Sequence, residues 1–352
     1  MLASFSFWLL TLILGLVFTA ATPSVTNRDR AMPRFEHIFV IMDENQDAWR
    51  ITGNHTAPTL SRLATTFGYA SNFFGEVHPS EGNYAALIGG STLGIFDDDA
   101  YFCKPLQRDH LCPHAFFPFY PSHLSNEPQI GDQLSAVGLS WKGYYQSIPE
   151  AGSLAVTDHL YVSKHSGFMN YASVVNAHDR AAHLVSFEQL QRDLAQNRAP
   201  NFAFIVPNLC DDMHGMPAGP GVPTSCQHDH PAGLIARGDT MIKHLYELIT
   251  SSPLWRASGN SAIVITFDED DGSGRSGCCG VTPFWIANFG GGHIATLVIT
   301  NHQHHAVHDD TPYNHYSLLR SIEDAFGIHR YLGLAAASDK GVQAMTPLFA
   351  AP

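Results

Sequence analysis

The chain has 352 residues and 45% of them are hydrophobic, so it can form a sizeable core and is not a candidate for a disordered protein. Its 32 acidic residues outnumber its 19 lysines and arginines, which gives a formal net charge of −13 with histidine neutral. This charge argues against nucleic acid or an anionic membrane as a partner, and an anionic substrate would need a locally positive site.

The N-terminus is apolar from Phe7 to Ala21 and carries small residues at Thr19 and Ala21, as signal peptidase sites do. Residues 1–21 are therefore predicted to be a signal peptide, with an uncleaved anchor as the alternative. We expect a secreted or periplasmic protein without stable membrane insertion. Residues 33–352 are predicted to be a single domain, because no repeat or linker divides them; the sequence does not indicate an oligomeric state.

Five short apolar runs are nearly continuous, which is typical of strands buried on both faces of a sheet. They are HIFVIM at 37–42, FAFIVP at 202–207, SAIVITF at 261–267, PFWIANF at 283–289 and ATLVIT at 295–300. Apolar residues at helical spacing predict helices within 237–250 and within 315–326, the latter stopped by Gly327. This alternation indicates an α/β fold with a mainly parallel sheet. The aromatic, proline-rich stretch 92–130 is predicted to be a cap or insertion over that sheet.

Acidic residues follow three of these runs: HIFVIM leads to DEN, FAFIVP to NLCDDMH and SAIVITF to DEDDG. The carboxyl ends of parallel strands share one edge of the sheet, where ligands usually bind. Three acidic strand ends at one edge would repel one another without a cation. We therefore expect a divalent metal held by Glu44, Asn45, Asp268 and Glu269, an oxygen-rich set that favours Mg, Ca or Mn over Zn. The alternative is a group of solvated turn carboxylates.

Ser80 lies in the stretch HPSEGNYAALIGGS, directly before an apolar helical stripe formed by Tyr84, Leu87 and Ile88. The simplest interpretation of a serine at this position is a helix N-cap. A helix N-terminus also favours an anion, and a nearby metal would activate the hydroxyl, so the position suits a phosphorylated serine as well.

Six cysteines, an even number, are consistent with disulfides in an exported protein. Cys103 with Cys112 and Cys210 with Cys226 are the nearest pairs in sequence. The adjacent Cys278 and Cys279 could pair with each other only through a strained ring, and sequence alone leaves the connectivity open.

Seven motifs follow one another along the chain: HIFVIMDEN, HPSEGNYAAL, YVSKHSGFMNY, NLCDDMH, RGDTMI, VITFDEDDG and YNHYSLLRSIEDAFG. In this order they resemble the secreted bacterial and fungal phosphoesterase family, which contains acid phosphatases and phospholipases C and belongs to the alkaline-phosphatase-like superfamily. The resemblance covers roughly residues 35–335. It implies an alkaline-phosphatase-like α/β/α sandwich in a phosphoesterase catalytic domain, a metal-assisted serine nucleophile, and a small phosphate ester as substrate.

The resemblance also implies roles for particular residues. Ser80 would be the nucleophile, and His165 of KHSGF would contact the phosphoryl group; a cationic His165 would give an acidic pH optimum. His214 of DDMH, oriented by Asp212, would protonate the leaving oxygen and later activate water. The metal ligands implied by the resemblance are Glu44, Asn45, Ser80, Asp268 and Glu269.

The sequence departs from the family pattern at a few positions. Gly82 stands where proline is usual, and SGF replaces NPF after His165. The Asp-His pair that often follows the DE motif is replaced by SGRSGCCGV, which argues against a histidine contribution from that loop.

We expect an acid phosphatase rather than a phospholipase C, because the chain ends soon after SIEDAFG and has no length for the C-terminal β domains of the larger phospholipases. A phospholipase C-type phosphodiesterase is the alternative within the family. The alternative from another class is a secreted histidine-rich metal-binding or interaction protein with a degenerate site. The His302–His308 cluster could capture a metal. An exposed loop explains that cluster as well.

Overall fold

The computed structural model describes residues 31–257, 259–280 and 290–350. The signal peptide predicted for residues 1–21 and the strand predicted for residues 283–289 lie outside the described residues. Within the described ranges, no helix combines the length and the apolar character needed to cross a bilayer.

A twisted central sheet organises the domain, and a small separate hairpin accompanies it. In chain order the strands are β1 (His37–Asp43), β2 (Gly68–Phe74), β3 (Trp141–Tyr145), β4 (Thr157–Asp158), β5 (Tyr161–Val162), β6 (Leu184–Ser186), β7 (Phe202–Val206), β8 (Ser261–Phe267), β9 (His293–Thr300), β10 (Val307–Asp309) and β11 (Tyr313–Asn314). The sheet order among the described residues is β10-β2-β9-β8-β1-β7-β3-β6, with β11 also on β2, while β4 and β5 form the hairpin. Among these described strands of the sheet, only β9 pairs antiparallel, with β2 and with β8. The predicted mainly parallel α/β architecture is thus confirmed.

Helices fill the connections between the strands. They are α1 (Ala48–Ile51), α2 (Pro58–Thr66), α3 (Glu81–Gly89), α4 (Ile130–Ala136), α5 (Ala172–Val175), α6 (Arg180–His183), α7 (Phe187–Ala195), α8 (Pro231–Ser251), α9 (His315–Phe326) and α10 (Thr346–Phe349). The two helices predicted from apolar spacing correspond to α8 and α9. Pro231 begins α8 at the position where a missing N–H costs nothing. The Asn314 side chain caps α9, and Gly327 ends it with a φ of 71°.

The apolar runs predicted as strands are confirmed wherever the structure describes them, as β1, β7, β8 and β9. Every residue of β7 and β8 is buried, in keeping with strands that are covered on both faces. In β1 only the first residue, His37, is partly exposed. These strands carry the apolar side chains of the main hydrophobic core.

The 92–130 segment connects α3 with α4. The structure assigns no helix or strand to its residues 92–129. It forms a small core of its own around the Cys103–Cys112 disulfide and Tyr120. Phe116 and Phe119 are largely exposed on it. The remaining disulfides join Cys210 with Cys226 and Cys278 with Cys279, so all three pairs are between cysteines that are neighbours in sequence.

The centre of the sheet brings three acidic strand ends together. β1 lies between β8 and β7, and its last residue, Asp43, is in register with Phe267, the last residue of β8. The chain therefore emerges from the three strands side by side at one edge of the sheet.

The chain leading to Ser80 comes from β2, which β9 separates from β8. It reaches the acidic strand ends by passing very close to other backbone. A Cβ atom at Gly75 would lie 2.7 Å from the carbonyl oxygen of Asp268, and one at Gly291 would lie 2.7 Å from that of Val77. Glycine at these two positions allows the nucleophile loop to run against the end of β8.

Candidate active site

The residues predicted as strand-end ligands do converge. Glu44 and Asn45 follow β1, and Asp268 follows β8. The Asn45 backbone takes a left-handed conformation with a φ of 55°, and its N–H donates to Asp268 Oδ1 at 3.0 Å. The Glu44 N–H donates to the carbonyl of Asp212 at 2.7 Å, which draws in the loop that follows β7. Backbone hydrogen bonds across the three strand ends thus fix the positions of these carboxylates.

Ser80 occupies the N-cap position of α3, but its side chain does not cap the helix. Its backbone is helical, with φ −46° and ψ −50°, and its side chain accepts no capping hydrogen bond from α3. Its hydroxyl instead donates to Glu44 Oε2 at 3.0 Å, with Glu269 Oε1 also within reach at 3.3 Å. The Nδ2 of Asn45 donates to the same Glu44 oxygen at 3.1 Å. The serine hydroxyl is therefore shared between two carboxylates at the start of a helix.

Several of these buried carboxylate oxygens make no hydrogen bond, namely Glu44 Oε1, Asp212 Oδ2, Asp268 Oδ2 and both side-chain oxygens of Asp43. Burial, together with Asp268 and Asp212, raises the pKa of Glu44 well above its usual range. Burial also raises the pKa of Asp268, and it raises the pKa of Glu269 to about 8 despite the opposing contact with His78. The protein places too few positive charges and hydrogen-bond donors around these carboxylates to balance their negative charge.

This arrangement fits a bound divalent cation. Buried oxygens without hydrogen bonds and mutually repelling carboxylates are the features that a cation would satisfy. Within the predicted ligand set, Glu44 and Glu269 contact the Ser80 hydroxyl, and Asn45 links Glu44 with Asp268 through its side chain and its backbone N–H. Because these donors are all oxygens, the set suits a hard cation.

His165 lies in a short 3₁₀ turn, Ser163–His165, after the β4–β5 hairpin. Its Nε2 is 3.3 Å from Glu44 Oε1 and its Nδ1 is 3.3 Å from Asp212 Oδ2, while its ring stacks on Tyr84. Burial, with help from Lys164 and His214, holds the pKa of His165 well below its usual value. The expectation of a cationic His165 is therefore not supported, because the buried ring favours the neutral form.

His214 lies next to His165, with 5.2 Å between the ring centroids. The expectation that Asp212 orients the His214 ring is wrong. One oxygen of Asp212 accepts from the backbone N–H of His214 at 2.8 Å, and its other oxygen faces His165. The Nδ1 of His214 lies 2.8 Å from the carbonyl of Gly215, to which it can only donate. The Nε2 lone pair is then free to accept a proton or a cation, and burial lowers the pKa of His214 to about 4.

Glu44, His165 and His214 each offer one ligand atom, and these atoms lie within 4.8 Å of one another. The two histidines predicted as catalytic thus form a second possible metal group that shares Glu44 with the first. Sequence motifs could not distinguish a catalytic from a metal-binding role for these histidines, since a neutral imidazole can act as a base or as a metal ligand.

Lys164 is a site residue that the sequence analysis did not single out, although it adjoins His165 in KHSGF. Its Nζ lies 2.7 Å from Asp98 of the 92–130 segment. Burial lowers the pKa of Lys164, but Asp98 and Glu44 raise it more, so the ammonium stays charged beside the carboxylates. Lys164 is thus a positively charged group close to the acidic strand ends.

Other histidines lie outside this group. His315 is fully buried, bridges Glu76 and the carbonyl of Phe267, and anchors α9 rather than contacting a substrate. In the His302–His308 cluster, His302, His304, His305 and His308 are exposed, and they form none of the possible metal groups among the described residues. His302, His304 and His305 lie in the exposed loop between β9 and β10, whereas His308 lies in β10 and packs edge-on against Tyr69.

The fold identifies the class of protein. A solved member of the alkaline phosphatase superfamily from Vibrio parahaemolyticus aligns with a TM-score of 0.53 at 12% identity, over 84% of this chain and 67% of that chain. A putative sulfatase from Bacteroides thetaiotaomicron aligns with a TM-score of 0.51 at 14% identity, over 91% of this chain and 75% of that chain. These likenesses show a shared alkaline-phosphatase-type fold.

Sequence comparison then shows the family. The model of the Phosphoesterase family matches residues 53–329, so the chain belongs to that family and is a phosphoric ester hydrolase. It is 26% identical over 312 residues to a phosphatidylinositol-3-phosphatase of Mycobacterium tuberculosis, covering 88% of this chain and 83% of the relative. It is 26% identical over 308 residues to an acid phosphatase of Aspergillus fumigatus, covering 84% of this chain but only 55% of that longer protein.

A more local similarity links the chain to a phospholipase. It is 28% identical over 218 residues to a non-specific phospholipase C1 of Arabidopsis thaliana, covering 61% of this chain and 32% of that relative. The chain thus spans about half of the length of the Aspergillus acid phosphatase and about a third of the length of the plant phospholipase.

Proposed function

We propose that the protein is a secreted, metal-dependent acid phosphatase that hydrolyses phosphate monoesters through a phosphoseryl intermediate on Ser80. The observation that carries this proposal is the Ser80 hydroxyl, which makes no helix cap and instead contacts Glu44 and Glu269. A serine with a purely structural role at a helix start would hydrogen-bond to the N-terminal backbone of the helix. Ser80 instead donates to carboxylates at the sheet edge where ligands bind.

A divalent cation bound by Glu44, Asn45, Ser80, Asp268 and Glu269 would neutralise the carboxylates, lower the proton affinity of the serine hydroxyl and stabilise charge on the phosphoryl oxygens. The chain itself supplies the proton acceptors. Glu44 Oε2 and Glu269 Oε1 are positioned to take the Ser80 proton as Oγ attacks phosphorus. The N-terminus of α3 and the Lys164 ammonium attract the anionic phosphoryl group.

The histidines suit the second half of the reaction. His214 is neutral above a pKa of about 4 and presents an Nε2 lone pair, so it can accept a proton from the water that hydrolyses phosphoserine. A role as general acid for the leaving oxygen would need the protonated ring, which burial disfavours. His165 lies between Glu44 and Asp212, and as a neutral ring it can donate to only one of these two carboxylates.

A phospholipase C-type phosphodiesterase is the second candidate, and the similarity to plant non-specific phospholipases C favours testing it. A phosphomonoester on a lipid is a further candidate substrate, because the relative from Mycobacterium tuberculosis is a phosphatidylinositol-3-phosphatase. Secretion is supported by the paired cysteines, since structural disulfides persist in oxidising compartments.

Steady-state assays of the purified protein test the proposal. The substrates are p-nitrophenyl phosphate, bis(p-nitrophenyl) phosphate, phosphatidylcholine and phosphatidylinositol 3-phosphate, each with and without a chelator and after addition of Mg²⁺, Ca²⁺, Mn²⁺ or Zn²⁺. We expect chelator-sensitive hydrolysis of the monoesters. Hydrolysis by fully metal-free protein, or of diesters alone, would contradict the proposal.

A further inference from the structure

We propose that Glu81 and His123 form a buried contact that positions Ser80, so that the 92–130 segment acts on the reaction through the first residue of α3. The inference rests on the proposed function, because it assigns a task to residues around the proposed nucleophile. It concerns positioning residues, since neither side chain touches the Ser80 hydroxyl or the carboxylates that hold it.

The first contact lies directly beside the nucleophile. Glu81 follows Ser80 and is fully buried, like every residue of α3. Its Oε2 lies 2.9 Å from Nδ1 of His123, and its Oε1 accepts from Nδ2 of Asn170 at 2.5 Å. The same Nδ2 donates to the carbonyl of His123 at 3.0 Å. Both the side chain and the backbone of His123 are thereby tied to the start of α3.

The second contact extends into the 92–130 segment. Nε2 of the fully buried His123 lies 2.7 Å from the hydroxyl of Tyr120 and 3.3 Å from Oδ1 of Asp97, and its ring stacks on Tyr120. The Tyr120 hydroxyl lies 3.1 Å from Asp97 and from Asp99, to either of which it can donate. A protonated His123 satisfies this geometry, with Nδ1–H facing Glu81 and Nε2–H donated to Tyr120. Asp97 and Glu81 hold the pKa of His123 at about 10 against the effect of burial.

The pair fixes the start of α3 from two sides. Glu81 is in the first turn of that helix, and its carboxylate is contacted by His123 and by Asn170. Removing His123 leaves this buried carboxylate without one of its two side-chain partners.

The geometry of Ser80 gives the pair a second effect. The serine hydroxyl is 3.0 Å from one carboxylate oxygen and 3.3 Å from another, so a small displacement of the α3 start changes both distances. Loss of reactive alignment by about 1 Å costs about 100-fold in rate. The same segment holds Lys164 through Asp98, so it contacts the neighbours of two site residues, Ser80 and His165.

The test compares His123→Gln with the double variant Glu81→Gln, His123→Gln, using hydrolysis of p-nitrophenyl phosphate. The single variant leaves Glu81 with Asn170 as its remaining side-chain partner, and we expect kcat/KM to fall by at least about tenfold because the start of α3 shifts. The double variant replaces the carboxylate as well and lets two amides meet. We expect it to recover most of the loss, to within about threefold of wild type.

The matched control is Lys142→Met. Lys142 lies on β3, two strands away from β1, and its Nζ contacts the buried Asp193 at 2.5 Å. Breaking this pair should lower the melting temperature by an amount similar to His123→Gln and leave kcat/KM unchanged. Equal losses of kcat/KM in Lys142→Met and His123→Gln would show a general stability effect and overturn the inference.

Other outcomes also decide the question. Activity of folded His123→Gln within twofold of wild type, or a double variant that is as impaired as the single one, would overturn the inference. If His123→Gln does not fold, Tyr120→Phe decides, because it removes only the hydroxyl that holds His123; an unchanged kcat/KM in that variant would count against us. Wild type that shows no Ser80-dependent hydrolysis would refute the proposed function, whereas Ser80-dependent hydrolysis with unaffected variants would refute the positioning role alone.

Discussion

The acids at the carboxyl edge of the sheet and Asp97 and Asp99 of the 92–130 segment are similarly buried, but their partners differ. Glu44 and Asp268 each keep an oxygen without a hydrogen bond, and burial raises the pKa of both. Asp99 is hydrogen-bonded by the backbone and ring of His114 and faces the Tyr120 hydroxyl. Although burial alone would raise the pKa of Asp97, its contact with His123 lowers it.

The difference separates two uses of a buried acid. In the 92–130 segment the chain supplies hydrogen-bond partners for three of the four side-chain oxygens of Asp97 and Asp99, so these acids hold structure together even though Asp97 Oδ2 has no partner. At the sheet edge the chain supplies too few, so the acids favour a ligand from outside the chain. The following predictions test this contrast, from the largest expected effect to the smallest.

Ser80→Ala should abolish hydrolysis while the protein remains folded. We expect a loss in kcat of about 10³- to 10⁶-fold, the range seen when a catalytic nucleophile is removed. Because the alanine leaves the four other proposed ligands in place, a metal should still bind. Stopped-time assays and elemental analysis of the same sample measure both effects, and turnover like that of wild type would exclude Ser80 as nucleophile.

Glu44→Gln and Asp97→Asn should have opposite effects on the stability of the metal-free protein. Glutamine removes an under-neutralised charge, so we expect the melting temperature to rise, whereas asparagine weakens the hold on His123 and should cost about 1–3 kcal/mol. Glu44→Gln should also lose activity by about 100-fold or more through weaker metal binding.

Calorimetry in the presence of a chelator at pH 7 measures the first effect, and titration of the metal measures the second. A fall in melting temperature of Glu44→Gln equal to that of Asp97→Asn would show that the two regions do not differ in the way described.

His123 should make the stability depend on pH. Its pKa is about 10 in the folded protein, above its ordinary value of about 6.5, so the folded state binds the proton more tightly. The stabilisation of the folded state by protonated His123 is therefore complete below about pH 6.5 and is lost as the pH rises through about 10. It amounts to a few kcal/mol at most. Urea unfolding of wild type and His123→Gln at pH 6, 8 and 10 should show a difference that shrinks with pH. A constant difference would mean that His123 is not charged in the fold.

Replacing both Cys103 and Cys112 by serine should have a smaller effect, confined to the 92–130 segment. The disulfide closes a loop between cysteines nine positions apart, which corresponds to about 2–3 kcal/mol of stability. We expect faster hydrogen exchange in this segment and a loss of kcat of only a few-fold, because the Glu81–His123 pair remains. Phe119→Ser, at a position that is 75% exposed, is the control and should change neither.

The strands that carry the site could be predicted because fully buried strands have continuous apolar sequences. β1, β7 and β8 follow that rule, and their acidic ends indicated where the site would lie. The antiparallel direction of β9 was not predictable, since an apolar run has the same appearance in either direction. β2 was missed because GYASNFF mixes buried and half-buried positions.

The contacts that decide function were beyond the sequence for a different reason. Whether Ser80 is a cap or a nucleophile depends on its closeness to Glu44 and Glu269, which are 36 and 189 positions away. His123 lies in a stretch without periodicity, so nothing in the sequence indicated its pairing with Glu81. Lys164, in contrast, could have been found, because a lysine beside a histidine in KHSGF is a possible phosphate contact.

The close passage of Gly75 and Gly291 limits how this sequence can evolve. At either position, a side chain as small as that of alanine would push the loop of Ser80 away from the end of β8. The atoms that it would meet belong to the backbone, which cannot adopt another rotamer to make room. Sequence changes in most surface loops are tolerated without loss of function. At these two positions, a library of variants selected for phosphatase activity should return glycine alone.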